Sequence, residues 1–384
     1  MSPLNVYKTE NMEEKKTTPP PRKTEDNGGI MLMLLIFILA GALSSIAQAM
    51  GCVDSVVNLT LSILPGNFIL VGMFVAACLV SLSIGTSCGT IAALTPIAVG
   101  IATATSANVP MATAVVVGGS LFGDNLSFIS DTTIMATKTQ GCRMSDKFKA
   151  NIGIALPAAV LTILAYIFIG AGIESQTGLD IDNPLNILPY IVVFILALAG
   201  MNVIWVLIMG IISAMAIGLF QGSMDMTSLW AAAQKGILGM HDLIIVTILA
   251  AVIIDQLRKR GAIDWLIMNM GRIISSRRGA ELSIAGAVVA VDMLTANNTI
   301  AILAVGPVAR SISYRYGIEA KRSASILDTM SCFAQGIIPW GAQLLIAAGL
   351  AAINPLDIIP YLYYPYILGV ITIMNIIFYR KKEK

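Results

Sequence analysis

A chain of 384 residues with 57% hydrophobic residues, 12% charged residues and a mean hydropathy of +0.82 is far too apolar for a soluble globular protein. Its formal net charge of +2, spread over scattered basic residues, gives no surface for nucleic acid. The cysteines (Cys52, Cys78, Cys88, Cys142, Cys332) lack paired spacing and His241 is the single histidine, so neither a disulfide framework nor a zinc site is supported and no cofactor is predicted.

In chain order, residues 1–29 carry Glu13, Glu14, Lys15, Lys16, a run of prolines, Arg22 and Lys23, and read as a disordered cytoplasmic tail. The apolar run that follows begins too late and is too long for a signal peptide. Residues 30–50 form the first span, and 51–67, with Asp54 and Pro65, read as a linker. Residues 68–105 hold no charge, yet 38 helical residues would extend ~57 Å against a hydrocarbon core of ~30 Å. The stretch must bend at Gly85–Thr90 (GTSCGT), either as a re-entrant hairpin or as two spans with a tight turn.

Residues 110–137 contain GDNLSFISDTT at 123–133, which sets two carboxylates, hydroxyls and an amide inside an apolar segment. Ionisable groups at membrane depth are costly and normally face a cavity or an ion path. The segment therefore reads as a broken membrane helix, one half over 111–122 and the other from Asp131, with Ser130 or Asp131 capping the second half. A polar surface loop between two short buried helices is the blander alternative.

A basic loop (Lys138, Arg143, Lys147, Lys149) precedes a span at 152–172, and an acidic loop over 173–186 (Glu174, Asp180, Asp182) follows it. The positive-inside rule puts the first loop in the cytoplasm and the second outside. Residues 187–220 hold two short spans turning at Gly200, and 241–257 is another, ended by Arg258, Lys259 and Arg260. Residues 261–279 suit an amphipathic helix on the cytoplasmic face. A second hairpin at 281–312, tipped by TANNT, and a second broken helix at 323–353 precede the last span, which leads to a basic cytoplasmic tail at 380–384. Asp255 is expected to pair with Arg258, and His241 to be structural. Trp340, Tyr361, Tyr363, Tyr364 and Tyr366 suit interfacial anchoring.

The two tips share T-x-x-x-T-I-A-x-L (residues 86–94 and 295–303), and SLFGDN at 120–125 answers SCFAQG at 331–336. Order, spacing and predicted orientation make this an inverted-topology repeat, 30–172 against 187–379. Three spans precede the second hairpin and one precedes the first, so the first repeat is expected to be shortened by two helices or completed by another chain.

GDNLSFISDTT, SIGTSCGTIAALTPIAVGIA, TANNT, SILDTMSCFAQGIIPWGAQ and NPLDIIPYLYYP resemble the NhaC-type sodium/proton antiporters of the larger ion-transporter superfamily, over about residues 30–380. The resemblance implies an all-α polytopic membrane protein that exchanges sodium for protons in the cytoplasmic membrane, with both termini inside. It also implies a homodimer, since dimers are usual in that superfamily. Relatives in this family exchange malate for lactate, so a sodium-coupled organic-anion exchanger is the alternative; a truncated or partner-dependent subunit is another. An intramembrane aspartyl protease is disfavoured, because the residues before Asp124 depart from G-x-G-D.

A sodium site that also handles protons needs hard oxygen ligands and a carboxylate able to hold either ion. Asp124 and Asp131 are the first candidates, with Asn125, Ser127, Thr132, Thr86, Ser87 and Thr90 completing an oxygen shell. In the second repeat Gln335 aligns with Asp124, and Asp328, Thr329, Asn297, Asn298 and Thr299 form a second site or a substrate pocket. Asp292, just before the second tip, is either a third titrating group or a backbone-bonding one.

Overall fold

In the computed structural model, the residues described are 27–105, 107–127, 130–173, 183–261, 265 and 276–378, and among them every regular element is helical. The amphipathic stretch expected at 261–279, the acidic loop and both tails lie largely or wholly outside these residues.

Helix α1 (Asn27–Ala49) turns through 75° into α2 (Cys52–Ile63), so the expected linker is a helix. Gly51, at φ +76°, makes the corner, and Cys52, Val53, Val57 and Leu61 bury one face. The sequence reading was misled by Asp54, which sits in the first turn of α2, where a carboxylate suits the helix dipole. Next come α3 (Ile69–Ile84), α4 (Ser87–Ala104), α5 (Val109–Leu126), α6 (Asp131–Gln140) and α7 (Met144–Gly170). The chain continues through α8 (Leu188–Leu198), α9 (Val203–Phe220), α10 (Met226–Leu238) and α11 (His241–Lys259). The last set is α12 (Arg277–Thr295), α13 (Asn298–Arg315), α14 (Ala320–Ile337), α15 (Ala342–Ala351), the single turn α16 (Pro355–Ile358) and α17 (Tyr363–Phe378).

Helices α3 and α4, joined only by Gly85 and Thr86, both pack along α5. An 18-residue α5 reaches only ~27 Å, so a partner lying on it with both arms has folded back into a hairpin. Helices α12 and α13 pack on α14 in the same way.

Helix boundaries recur 211 positions later throughout: 84 and 295, 87 and 298, 104 and 315, 109 and 320, 126 and 337, 131 and 342, 140 and 351. Left-handed residues recur in the same register, Gly85 with Ala296 and Gly141 with Ala352, as do the in-helix prolines Pro96 and Pro307. This corrects the register of the two tips. The shared T-x-x-x-T-I-A-x-L pattern pairs Thr86 with Thr295, whereas the backbone pairs Thr86 with Asn297, each the extended residue that starts the second arm. The pattern matched apolar helix interiors; the left-handed residue and the cap fix equivalence. The SLFGDN and SCFAQG match already stands in the 211 register, so Asp124 and Gln335 are equivalent positions.

The two halves interlock. Helix α6 packs on α13 of the other hairpin, and α15 packs on α4. Helix α7 shows how the bundle meets lipid: Asn151, Ile154, Ala155, Ala158, Thr162 and Tyr166 are buried, while Leu156, Val160, Leu161, Leu164 and Phe168 are exposed on the opposite side. In a chain this apolar, that stripe is the lipid face. Several helices among those described are long and apolar enough to cross a bilayer, and the broken stretches Val109–Gln140 and Ala320–Ala351 are among them.

Candidate functional site

Helix α5 runs on to Leu126, four residues further than expected, so Asp124 and Asn125 belong to its last turn, and α6 begins at Asp131. A helix that stops inside a membrane exposes carbonyls that lipid cannot satisfy. Side chains take them up here. Ser127 N–H bonds Gly123 O at 2.7 Å, and the Ser130 hydroxyl donates to Asp124 O at 2.9 Å. Lys147 Nζ and Asn151 Nδ2 both donate to Asn125 O at 2.8 Å, and Thr133 Oγ1 donates to Ser127 O at 2.8 Å. Ser130 also caps α6, accepting from Thr133 N–H at 3.2 Å. The density of Ser and Thr in the motif is thus explained first by backbone satisfaction.

At the first hairpin tip, Thr86 starts α4 without a side-chain cap of its own. Asp124 supplies the acceptor from α5: its Oδ1 takes the Ser87 N–H at 3.1 Å, and the helix N-terminus favours the negative charge. At the equivalent place in the other half, Gln335 Nε2 donates to Ala296 O at 3.2 Å and to Gln343 Oε1 at 2.7 Å. Gln343 Nε2 in turn donates to Ser87 Oγ at 3.0 Å. A chain of amides and a hydroxyl therefore joins the two tips and both broken helices, ending at Asp124.

Where these four elements meet is a cavity of about 270 Å³. Thr86, Ser87, Asp124, Asp131, Thr132, Asn297, Asn298, Thr299 and Gln335 line it, together with Gln343, Cys88 and the N-terminal half of α1 at Leu32 and Ile36. Asp124 is 4% exposed, whereas Asp131 is open to the cavity. Among the described lining residues none is cationic. The donor set, two carboxylates with hydroxyl and amide oxygens, is that of a hard cation.

Six of the expected site residues stand outside this cavity. Thr90 bonds back to Thr86 O, Thr329 to Ser325 O and Ser127 to Leu82 O, all backbone roles. Asn125 and Asp328 form a separate polar cluster. Asp292 is fully buried, and neither of its carboxylate oxygens has a protein partner.

Lys147 was placed in a cytoplasmic loop by charge alone. Helix α7 begins at Met144, and this turns Lys147 inward, one turn from Asn151; it is 1% exposed. Its Nζ lies 2.8 Å from Asp328 Oδ2 and 2.7 Å from Thr133 Oγ1. Asn151 Nδ2 reaches the same Asp328 oxygen at 2.6 Å. Tyr364, expected at the membrane interface, is fully buried; its hydroxyl donates to Asn125 Oδ1 at 2.8 Å and its ring packs tilted against Phe74 and edge-on against Phe122. The signal for Lys147 was its i, i+4 spacing to Asn151 on the inner stripe of an apolar helix. Asp255 pairs with Lys259 at 2.5 Å, and Trp340 Nε1 donates to Met293 O at 3.2 Å.

Residues 27–173 and 185–380 match the family model described as the Na+/H+ antiporter family. The chain is 24% identical over 371 residues to the Na(+)/H(+) antiporter NhaC of Alkalihalophilus pseudofirmus, covering 88% of this chain and 80% of that protein. It is 23% identical to the Na(+)/H(+) antiporter NhaC of Bacillus subtilis, covering 88% and 82%. The Malate-2H(+)/Na(+)-lactate antiporter of Bacillus subtilis is 19% identical, covering 86% and 77%.

Proposed function

The chain belongs to the Na+/H+ antiporter family, and from that premise we propose that it exchanges sodium for protons at the cavity between the two hairpin tips. It is a multi-pass membrane transporter and not an enzyme. The observation that carries the site assignment is the composition of the cavity: Asp124 and Asp131 face hydroxyl and amide oxygens with no cationic side chain among the described lining residues. Sodium binds between the two carboxylates, with Thr86, Ser87, Thr132 and the Asn297–Thr299 tip as oxygen donors. Protonation of the carboxylates releases it. The Ser87 N–H keeps Asp124 oriented in both states. Basic residues beside the hairpin and broken-helix ends support a reading in which both termini are cytoplasmic.

The organic-anion reading has one observation in its favour, a volume of about 270 Å³, larger than a single ion needs. Helix N-termini at the tips can hold a carboxylate without a cationic side chain; against the reading, Asp124 and Asp131 line the same cavity and repel an anion, and the nearby buried Lys147 is paired with Asp328.

The test is sodium-driven proton movement in proteoliposomes holding only this chain, with and without malate or lactate, beside Asp124→Asn and Asp131→Asn. Exchange without organic solute, lost in Asp124→Asn, is the expected result. Exchange only when an organic anion is present would overturn the assignment in favour of the anion exchanger.

A further inference from the structure

A second cavity, of about 190 Å³, opens at the membrane face that carries Glu319, Lys321 and Arg322. Its polar rim is held together by ion pairs, Lys321 to Glu319 at 2.9 Å and Arg322 to Glu281 at 2.6 Å. Its floor includes Ala150 on α7 and Ser325 on α14. One residue beyond Ala150 is Asn151, and one helical turn beyond Ser325 is Asp328, the two side chains that meet at 2.6 Å. Three buried polar atoms along this line have no protein partner: Ser325 Oγ, Asn151 Oδ1 and Asp328 Oδ1. A buried site with several such atoms is where ordered water is held, whereas unpaired polar groups alone would be costly.

Resting on the exchange reading above, we propose that Asp328, paired with Lys147, is a proton site with its own entrance through Ser325, separate from the cation cavity of Asp124 and Asp131. The step balances simply. A hydrated proton from the vestibule passes along water to Asp328 Oδ1, where an O–H bond forms and the water chain is left neutral. Oδ2 keeps its contacts to Asn151 and Lys147. Lys147 retains its own protons and its bonds to Asn125 O and Thr133 Oγ1, and its charge is then uncompensated. That charge sits against the backbone of the residue following Asp124 and disfavours a cation in the neighbouring cavity. Proton uptake at one site therefore expels sodium from the other, and by linkage sodium binding expels the proton.

The other titratable groups around the pair are Asp124 on α5, Asp131 on α6, Asp292 and Glu281 on α12, Tyr364 on α17 and Cys332 on α14 itself; α15 contributes none. Glu281 is tied to Arg322. Asp328 is the carboxylate that combines a direct cationic partner with a free oxygen next to the vestibule.

The experiment compares the parent chain with the charge-neutral double variant Lys147→Met, Asp328→Asn in detergent. Sodium affinity is measured as a function of pH, and pH-difference infrared spectra report protonated carboxyls. The expected result is a slope of log Kd for sodium against pH reduced by about one proton in the double variant, since one linked site is gone. One carboxyl band should also disappear from the infrared difference. Independently, in vesicles and in a background with the half-buried Cys88 and Cys142 replaced by Ser, Ser325→Cys should react with a membrane-impermeant thiol reagent from the Arg322 side only, where the background protein, its remaining Cys52, Cys78 and Cys332 buried, does not. Equal slopes, an unchanged band, or a Ser325→Cys thiol unreactive from that side in folded protein would overturn the proposal. If the parent binds no sodium, the exchange reading fails, and the infrared band and the labelling still decide the proton site.

Discussion

Removing one member of the Lys147–Asp328 pair is a demanding perturbation, because both side chains are at most 1% exposed. Lys147→Met keeps length and apolar volume while deleting the charge. The hydrogen bonds it strands are few: Asn125 O keeps Asn151 Nδ2 at 2.8 Å, and Thr133 Oγ1 keeps its bond to Ser127 O. The loss is therefore mainly the uncompensated charge on Asp328, and breaking a buried pair from one side costs ~3–5 kcal/mol. Asp328→Asn strands Lys147 instead and should cost a similar amount. The double variant leaves no charge, so its loss should be ~1–2 kcal/mol and the coupling energy ~4 kcal/mol or more. The buried thiols of Cys52, Cys78 and Cys332 supply the assay, since a thiol-reactive fluorophore reports their exposure on heating or titration with denaturant. Single variants as stable as the parent, or a double variant as damaged as the sum of the singles, would refute the reasoning.

Three further outcomes can be checked in the same way. Ala296 holds φ +49° at the second tip where Gly85 stands in the first, so Ala296→Gly should raise the unfolding midpoint by ~1 kcal/mol equivalent. Gly123 lies against α3 so closely that a Cβ would clash with the Ser81 side chain; Gly123→Ala should cost ~1–3 kcal/mol and lower sodium affinity by displacing the Asp124 turn, read by thermal unfolding and sodium binding. At the exposed start of α10, bonds from Ser228 and Thr227 hold the Asp225 carboxyl down at about 2 from its ordinary 3.8. A depressed carboxyl stabilises above its unfolded value and loses that effect as pH falls toward the folded one, so the protection of the first-turn amides of α10, relative to intrinsic exchange, should fall between those two values, and Asp225→Ala should show the low protection at all pH.

Much of this architecture was legible because bilayer thickness and charge placement constrain it so strongly. A 38-residue uncharged stretch had to bend, and Gly85 was visible as the place. The GDNLSFISDTT run announced a break because no lipid-facing helix needs those groups. What was hidden depended on helix phase. Lys147 reads as a loop cation until α7 is known to begin at Met144, and Tyr364 reads as an interfacial anchor until Asn125 is found beneath it. The tip register failed for a different reason: apolar arms repeat the same few residue types, so a five-letter match carries less information than one left-handed residue followed by an extended one.

The 211-residue repetition also explains why the charge is unequal. At the first tip the unmet group is an N–H, that of Ser87 at the start of α4, and an acceptor is required; Asp124 answers it. At the second tip the side chain in the equivalent position meets a carbonyl, that of Ala296, and a donor is required; Gln335 answers it. Asp131 and Ala342, the first residues of α6 and α15, differ in the same direction. Equivalent backbones thus present opposite polarity at their tips, and the carboxylates that line the cavity, Asp124 and Asp131, both fall on the first half. On the second half the only buried carboxylate directly paired with a cation, among the described residues, and set deeper than the rim ion pairs is Asp328. Its tie to Lys147 of the first half then gives the proposed exchange one carboxylate site in each half. If so, exchanging the tips' side chains as a pair, Asp124→Gln with Gln335→Asp, should fold yet lose sodium binding, because the new carboxylate would face the Ala296 carbonyl. Sodium binding retained in that double exchange, measured by calorimetry on the folded protein, would show that the polarity of the tips does not place the charge.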